Sequence, residues 1–151
     1  MLSIGITIVI AGIILFLYML FLAIQTNVKE HQLLVKEMPK GTQLNIFFIS
    51  DIHRRKIDDT LIHSIIGKVD LVIIGGVLSE KGVPLMRTKL NLKQLKKLGP
   101  VFYVYGNNDR EVGEANLLSI FQELDIQMLN NTSVTISEGK MPIRLVGIND
   151  G

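Results

Sequence analysis

The chain has 151 residues, with 16 Lys and Arg side chains against 14 Asp and Glu side chains, so its formal net charge is only +2 at pH 7. This length suits one ordinary domain. The sequence contains no cysteine, which excludes disulfide bonds and thiol chemistry. It also shows no pattern of basic residues interleaved with aromatic residues that would favour nucleic-acid binding.

The N-terminal segment is strongly apolar. Residues 2–24 include no charged side chain, and as a helix they would be about 35 Å long at roughly 1.5 Å per residue. That length spans the hydrocarbon core of a bilayer, which is about 30 Å thick. A buried core helix is disfavoured because the run is apolar on every face. A cleaved signal peptide is the main alternative, but no basic residue precedes the run and no small-residue cleavage site follows it. Residues 1–26 are therefore predicted to be a transmembrane anchor.

Basic residues follow this anchor and indicate its orientation. Lys29, Lys36 and Lys40 lie just after the apolar run, and an excess of Lys and Arg marks the cytoplasmic side. The sequence thus predicts a single-pass protein of the cell membrane whose soluble part is cytoplasmic. Residues 27–43 are expected to form a linker or a first strand.

The remaining chain alternates between strand and helix patterns. Apolar runs predict strands at residues 44–50, 71–74 and 101–105, followed by shorter strands at 133–136 and 143–146. Apolar residues at helical spacing predict a helix from Asp58 or Asp59 to Lys68, and two more at 85–98 and 115–124. This order indicates an α/β fold with a largely parallel sheet, whose functional loops follow the carboxyl ends of the strands.

Asp51 and His53 follow the first of these strands. In an extended segment, side chains two residues apart point to the same side. A carboxylate and an imidazole placed together suit Zn, Mn or Fe, so both residues are candidate metal ligands. The alternative is an ordinary polar loop with a surface histidine.

Two further loops strengthen the metal-site hypothesis. Gly75-Gly76-Val77 ends the second strand, and Gly106-Asn107-Asn108-Asp109 ends the third. Asn107 offers an amide oxygen to a cation. For the third loop, a turn through left-handed conformations at the two asparagines, with Asp109 as a helix cap, is the alternative.

Taken together, the segments 48–53, 70–76 and 104–109 resemble the calcineurin-like metallophosphoesterases, in particular their membrane-anchored bacterial branch. The resemblance covers roughly residues 28–150. It implies the N-terminal half of a four-layer α/β/β/α sandwich. It also implies hydrolysis of a phosphoester substrate, whose identity is open, by a water activated between two divalent metal ions (Mn, Fe or Zn).

The resemblance also assigns roles to individual residues. Asp51 and His53 match ligands of the first metal, and Asn107 matches a ligand of the second. Asn108 and Asp109 match catalytic positions: the family usually has a histidine near the substrate phosphate where this chain has Asn108, and an acidic residue where it has Asp109.

Two departures from the family pattern lower the expected activity. Val77 stands where the family has the Asp that bridges both metals, and no histidine follows His63, although the family draws further ligands from C-terminal histidines. Residues 44–151 are therefore expected to be a truncated, catalytically impaired metallophosphoesterase domain. A non-catalytic membrane-anchored binding module is the alternative. A nucleotide-binding domain is disfavoured because no G-x-G-x-x-G pattern is present.

Overall fold

A computed structural model describes residues 2–25, 27–36, 38–106, 109, 112–138 and 141–148. The chain divides into two compact units, residues 1–34 and 35–151. The first unit contains helix α1 (Leu2–Ile24), whose side chains are exposed throughout residues 4–22. This helix is long and apolar enough to cross a membrane. A signal sequence near the N-terminus can have the same length and apolar composition. Residues 27–36 form neither helix nor strand.

The second unit is built on a parallel sheet of four strands. They are β1 (Ile46–Ile49), β2 (Leu71–Gly75), β3 (Val101–Val104) and β4 (Gln127–Met128), and they lie side by side in that order. The first three are apolar runs rich in branched and aromatic side chains, as is typical of strands. Strands β2 and β3 are largely buried, whereas β1 lies at the edge of the sheet and exposes Ile46 and Phe48. The predicted strands are confirmed. Strand β4 was not predicted because it has only two residues, one of them the exposed Gln127.

Among the described residues, three helices accompany the sheet: α2 (Asp59–Ile65), α3 (Leu85–Lys96) and α4 (Glu114–Glu123). As predicted, Asp58 caps α2, since its side chain accepts a hydrogen bond from the Thr60 amide at 3.0 Å. This helix ends before the predicted Lys68. Ile66 leaves the helical region with ψ of 136°, and Ile66 and the left-handed Gly67 form a turn in which the Lys68 amide donates to the Ile65 carbonyl at 3.0 Å.

The helices pack on one face of the sheet and a β-hairpin packs on the other. The helix-facing core joins buried residues of the sheet and of all three helices, among them Ile62, Val72, Ile74, Leu92, Leu95, Tyr103, Leu117 and Phe121. The hairpin consists of antiparallel strands β5 (Thr132–Glu138) and β6 (Met141–Gly147). Its residues Val134, Ile136 and Leu145 pack against Leu71, Phe102 and Leu129. The helical layer, the parallel sheet and the hairpin agree with the predicted α/β/β order of layers.

The loops after β1, β2 and β3 meet at one edge of the sheet, because parallel neighbouring strands end on the same side. The second and third of these loops approach each other very closely. A Cβ atom at Gly106 would lie only 2.1 Å from the backbone nitrogen of Val77, so no other residue fits at Gly106 without moving a loop. The fold therefore brings the three predicted site loops together.

Candidate metal site

Asp51 and His53 lie close together, but not for the reason that the sequence suggested. Strand β1 ends at Ile49, and both residues have left-handed backbone conformations, with φ of 53° at Asp51 and 50° at His53. The expectation of an extended segment was wrong. The loop nevertheless places the Asp51 Oδ1 atom 3.8 Å from the His53 Nε2 atom. Asp51 is largely exposed and His53 is partly buried, so the pair opens to solvent.

The other ring nitrogen of His53 is held by Glu80. The Nδ1 atom lies 2.8 Å from the Glu80 Oε2 atom. The second carboxylate oxygen of Glu80 accepts a hydrogen bond from the Arg54 guanidinium. The Arg54 and His53 hydrogen bonds, in that order of size, hold the pKa of Glu80 below its usual value. Glu80 is therefore an ionised acceptor at neutral pH.

The two donors fit one divalent cation as two of its ligands. Oxygen and nitrogen ligands at about 2.1 Å from a tetrahedral ion lie about 3.4 Å apart, close to the 3.8 Å between Asp51 and His53. No group of three His, Asp or Glu side chains able to hold a metal occurs in the part of the chain that the structure describes. Asn107, the predicted ligand of a second metal, lies outside that part. The described residues thus supply an incomplete ligand set.

Val77 lies in the loop after β2, immediately beside the first loop. Its carbonyl oxygen accepts hydrogen bonds from the Ile52 amide at 2.9 Å and the His53 amide at 3.5 Å. Its φ is 27°, a conformation that is unusual for any β-branched residue. The backbone of Val77 therefore organises the Asp51–His53 loop, while its aliphatic side chain has no atom that can bind a metal.

Asp109 is fully buried below the loops rather than open to solvent. Its Oδ1 accepts a hydrogen bond from the Ser79 amide at 3.0 Å, and its Oδ2 accepts from the Tyr103 hydroxyl at 2.6 Å and the Gly106 amide at 3.0 Å. Burial, and then the neighbouring Asp109, raise the pKa of Tyr103, which stays protonated and remains a donor. Asp109 therefore ties the second loop to the third. A catalytic role for Asp109 stays a prediction, and Asn108 lies outside the described residues.

Helix α3 anchors the first two loops from the side. The buried Asn91 accepts a hydrogen bond from the Ile57 amide at 2.9 Å and donates one to the Arg55 carbonyl at 2.8 Å. Nearby, Thr88 donates to the Ser79 hydroxyl at 3.0 Å. One helix thus fixes the loop that carries His53 and the loop that carries Glu80.

Glu80 is the site residue that sequence reasoning missed. It stands three residues beyond Val77, in a loop whose polar residues resemble an ordinary solvated turn. The available signal was its place after β2, the strand that neighbours β1, because loops after neighbouring parallel strands share an edge.

Comparison with known proteins identifies the class to which this fold and site belong. Residues 44–147 match the family model of the calcineurin-like phosphoesterases. The chain belongs to this family of metallophosphoesterases, as the sequence motifs predicted.

Two relatives from bacteria extend the comparison. The chain is 41% identical over 126 residues to the uncharacterized protein YpbG of Bacillus subtilis, a match that covers 82% of this chain and 49% of YpbG. It is 28% identical over 131 residues to an uncharacterized metallophosphoesterase of Helicobacter pylori strain 26695, covering 82% of this chain and 34% of that protein. The chain therefore spans half or less of the length of these relatives. No solved structure matches it.

Proposed function

We propose that this chain carries one metal-binding half of a metal-dependent phosphoester hydrolase site and hydrolyses phosphoesters little or not at all by itself. The observation that supports this is the convergence of Asp51 Oδ1 and His53 Nε2 to 3.8 Å at the loop edge of the sheet. The two side chains would hold a single divalent cation such as Mn, Fe or Zn. When bound, such an ion supplies Lewis-acid activation of a phosphoester and of water.

Val77 is the reason to expect impaired hydrolysis. In the family pattern, this position holds the carboxylate that bridges two metal ions. A valine side chain offers no lone pair, so one change removes a ligand from both ions. Metal catalysis needs a fixed ligand set with an open position, and Asp51 with His53 supply only two ligands.

We further propose that α1 anchors the chain in the cell membrane, with the second unit on the cytoplasmic side. The exposed apolar surface of α1 supports this proposal. So do Lys29, Lys36 and Lys40, which follow the helix and favour a cytoplasmic location for what comes after it.

The test is turnover of a chromogenic aryl phosphodiester by the full chain in detergent with added Mn²⁺. Wild-type turnover is expected to be no higher than that of Asp51→Asn, which keeps the side-chain shape but loses the charged ligand. Robust turnover by the wild type that Asp51→Asn abolishes would refute the claim of impaired hydrolysis.

A further inference from the structure

We propose that Glu80 is a positioning residue that fixes the tautomer and ring orientation of His53, and that Arg54 in turn fixes Glu80. This inference rests on the proposed function, because it concerns how a metal ligand is prepared. It adds a residue to the site that carries no ligand role itself.

A hydrogen bond joins His53 to Glu80. The Nδ1 and Oε2 atoms are 2.8 Å apart. A carboxylate can only accept, so Nδ1 must carry the proton. In a neutral imidazole the proton-free nitrogen is then Nε2, the same atom that lies 3.8 Å from Asp51 Oδ1. The contact therefore selects the tautomer whose lone pair is on the Asp51 side.

Glu80 is itself held in place. Its other oxygen accepts from the Arg54 guanidinium, so both carboxylate oxygens are engaged. The loop that carries Arg54 is also fixed, since Arg87 Nη1 donates to the Arg54 carbonyl oxygen at 3.2 Å. His53, Glu80 and Arg54 thus form one connected chain of hydrogen bonds.

A histidine that binds a metal usually donates its other N–H to a carboxylate, which fixes the ring and makes the ligating nitrogen more basic. Loss of such a partner typically weakens metal binding about ten- to hundredfold. A carboxylate that served only to join two loops would have no need to contact the ring nitrogen facing away from Asp51.

NMR of the full chain in detergent micelles, with isotope-labelled histidine, shows which ring nitrogen of His53 carries the proton. The spectra are recorded without metal at a pH of about 8, which is above the usual pKa of histidine. The His53 signal is assigned by its loss in His53→Gln. In the wild type, His53 is expected to be protonated on Nδ1. In Glu80→Ala it is expected to shift towards protonation on Nε2, while Glu80→Gln, whose amide oxygen can still accept, keeps the wild-type tautomer.

The matched control is Glu123→Ala, which removes an exposed glutamate of α4 that pairs with Lys89 of α3 and should leave the tautomer unchanged. An Nε2-protonated His53 in the wild type, or a tautomer that Glu80→Ala does not alter, would overturn the proposal. Circular dichroism of each variant verifies that the fold is intact. If Glu80→Ala unfolds, Glu80→Met, which keeps the length of the side chain but has no acceptor oxygen, provides the decisive comparison and is expected to shift His53 towards protonation on Nε2.

A Mn²⁺ titration of the same variants separates this inference from the proposed function. Glu80→Ala is expected to weaken binding about ten- to hundredfold relative to wild type. If the wild type bound no Mn²⁺ while the tautomer behaved as expected, the proposed function would fail and the positioning role of Glu80 would stand.

Discussion

Asp51, His53 and Val77 all adopt left-handed backbone conformations at the candidate metal site. Asp and His tolerate this region better than most residues, whereas a β-branched residue is a genuine outlier there. Residues held in such conformations cluster at functional sites, where the surrounding structure imposes them. The Ile52 and His53 amides, both bonded to the Val77 carbonyl, impose it here. The loop therefore retains a backbone that suits Asp or Asn better than Val at position 77.

This strain leads to a prediction at the residue scale. Val77→Asn should raise the free energy of unfolding by about 1 kcal/mol, because Asn enters the left-handed region at lower cost than a β-branched side chain. Chemical denaturation of the two proteins measures the difference. Val146→Asn, on the exposed face of β6, is the matched control and should not stabilise the protein. A loss of stability in Val77→Asn would show that the valine side chain packs favourably.

At the scale of elements, the site depends on loops that are tied to each other and to α3. Asp109 joins the loops after β2 and β3 through the Ser79 amide, the Gly106 amide and the Tyr103 hydroxyl. Asn91 ties the loop after β1 to α3. These polar contacts link the loops after β2 and β3 to each other and the loop after β1 to α3.

Removal of the buried carboxylate should therefore be costly. Asp109→Ala leaves three donors without their acceptor, and each buried unpaired group costs about 1–3 kcal/mol, so the free energy of unfolding should fall by about 3 kcal/mol or more. Asp109→Asn keeps one acceptor oxygen and should lose less. Thermal or urea unfolding measures both variants. The control is Asp59→Ala on α2, which removes an exposed carboxylate paired with Gln94 and Lys97. Because exposed pairs contribute about 1 kcal/mol or less, this variant should lose much less stability than Asp109→Ala. An Asp109→Ala variant as stable as wild type would show that these hydrogen bonds are not needed.

The sequence was sufficient for the elements that apolar patterning controls. Strand β2 and helix α4 were predictable because continuous or helically spaced apolar residues determine which faces are buried. Strand β4 was not predictable, because Gln127 and Met128 join the sheet only through β3. The conformation at Asp51 and His53 was not predictable either, since hydrogen bonds to Val77, distant in sequence, determine it. Glu80 was missed for the same reason: its partners lie in another loop.

At the scale of the whole molecule, the chain joins an apolar N-terminal helix to an α/β unit of the metallophosphoesterase family. The family pattern pairs two metal ions through one bridging carboxylate. By the sequence resemblance, Val77 falls at that bridge position, and Asp51 and His53 are the convergent donors that we propose for the site. We therefore propose a site for one metal ion, in which Glu80 positions His53 and no bridging carboxylate connects the ion to a second one.

The stoichiometry of Mn²⁺ binding tests this claim most directly. Titration of the full chain in detergent, followed by electron paramagnetic resonance of free Mn²⁺, is expected to give one bound ion per chain in the wild type and none in Asp51→Asn at the same concentrations. Two ions bound per wild-type chain, or one ion that Asp51→Asn still binds with equal affinity, would contradict the account.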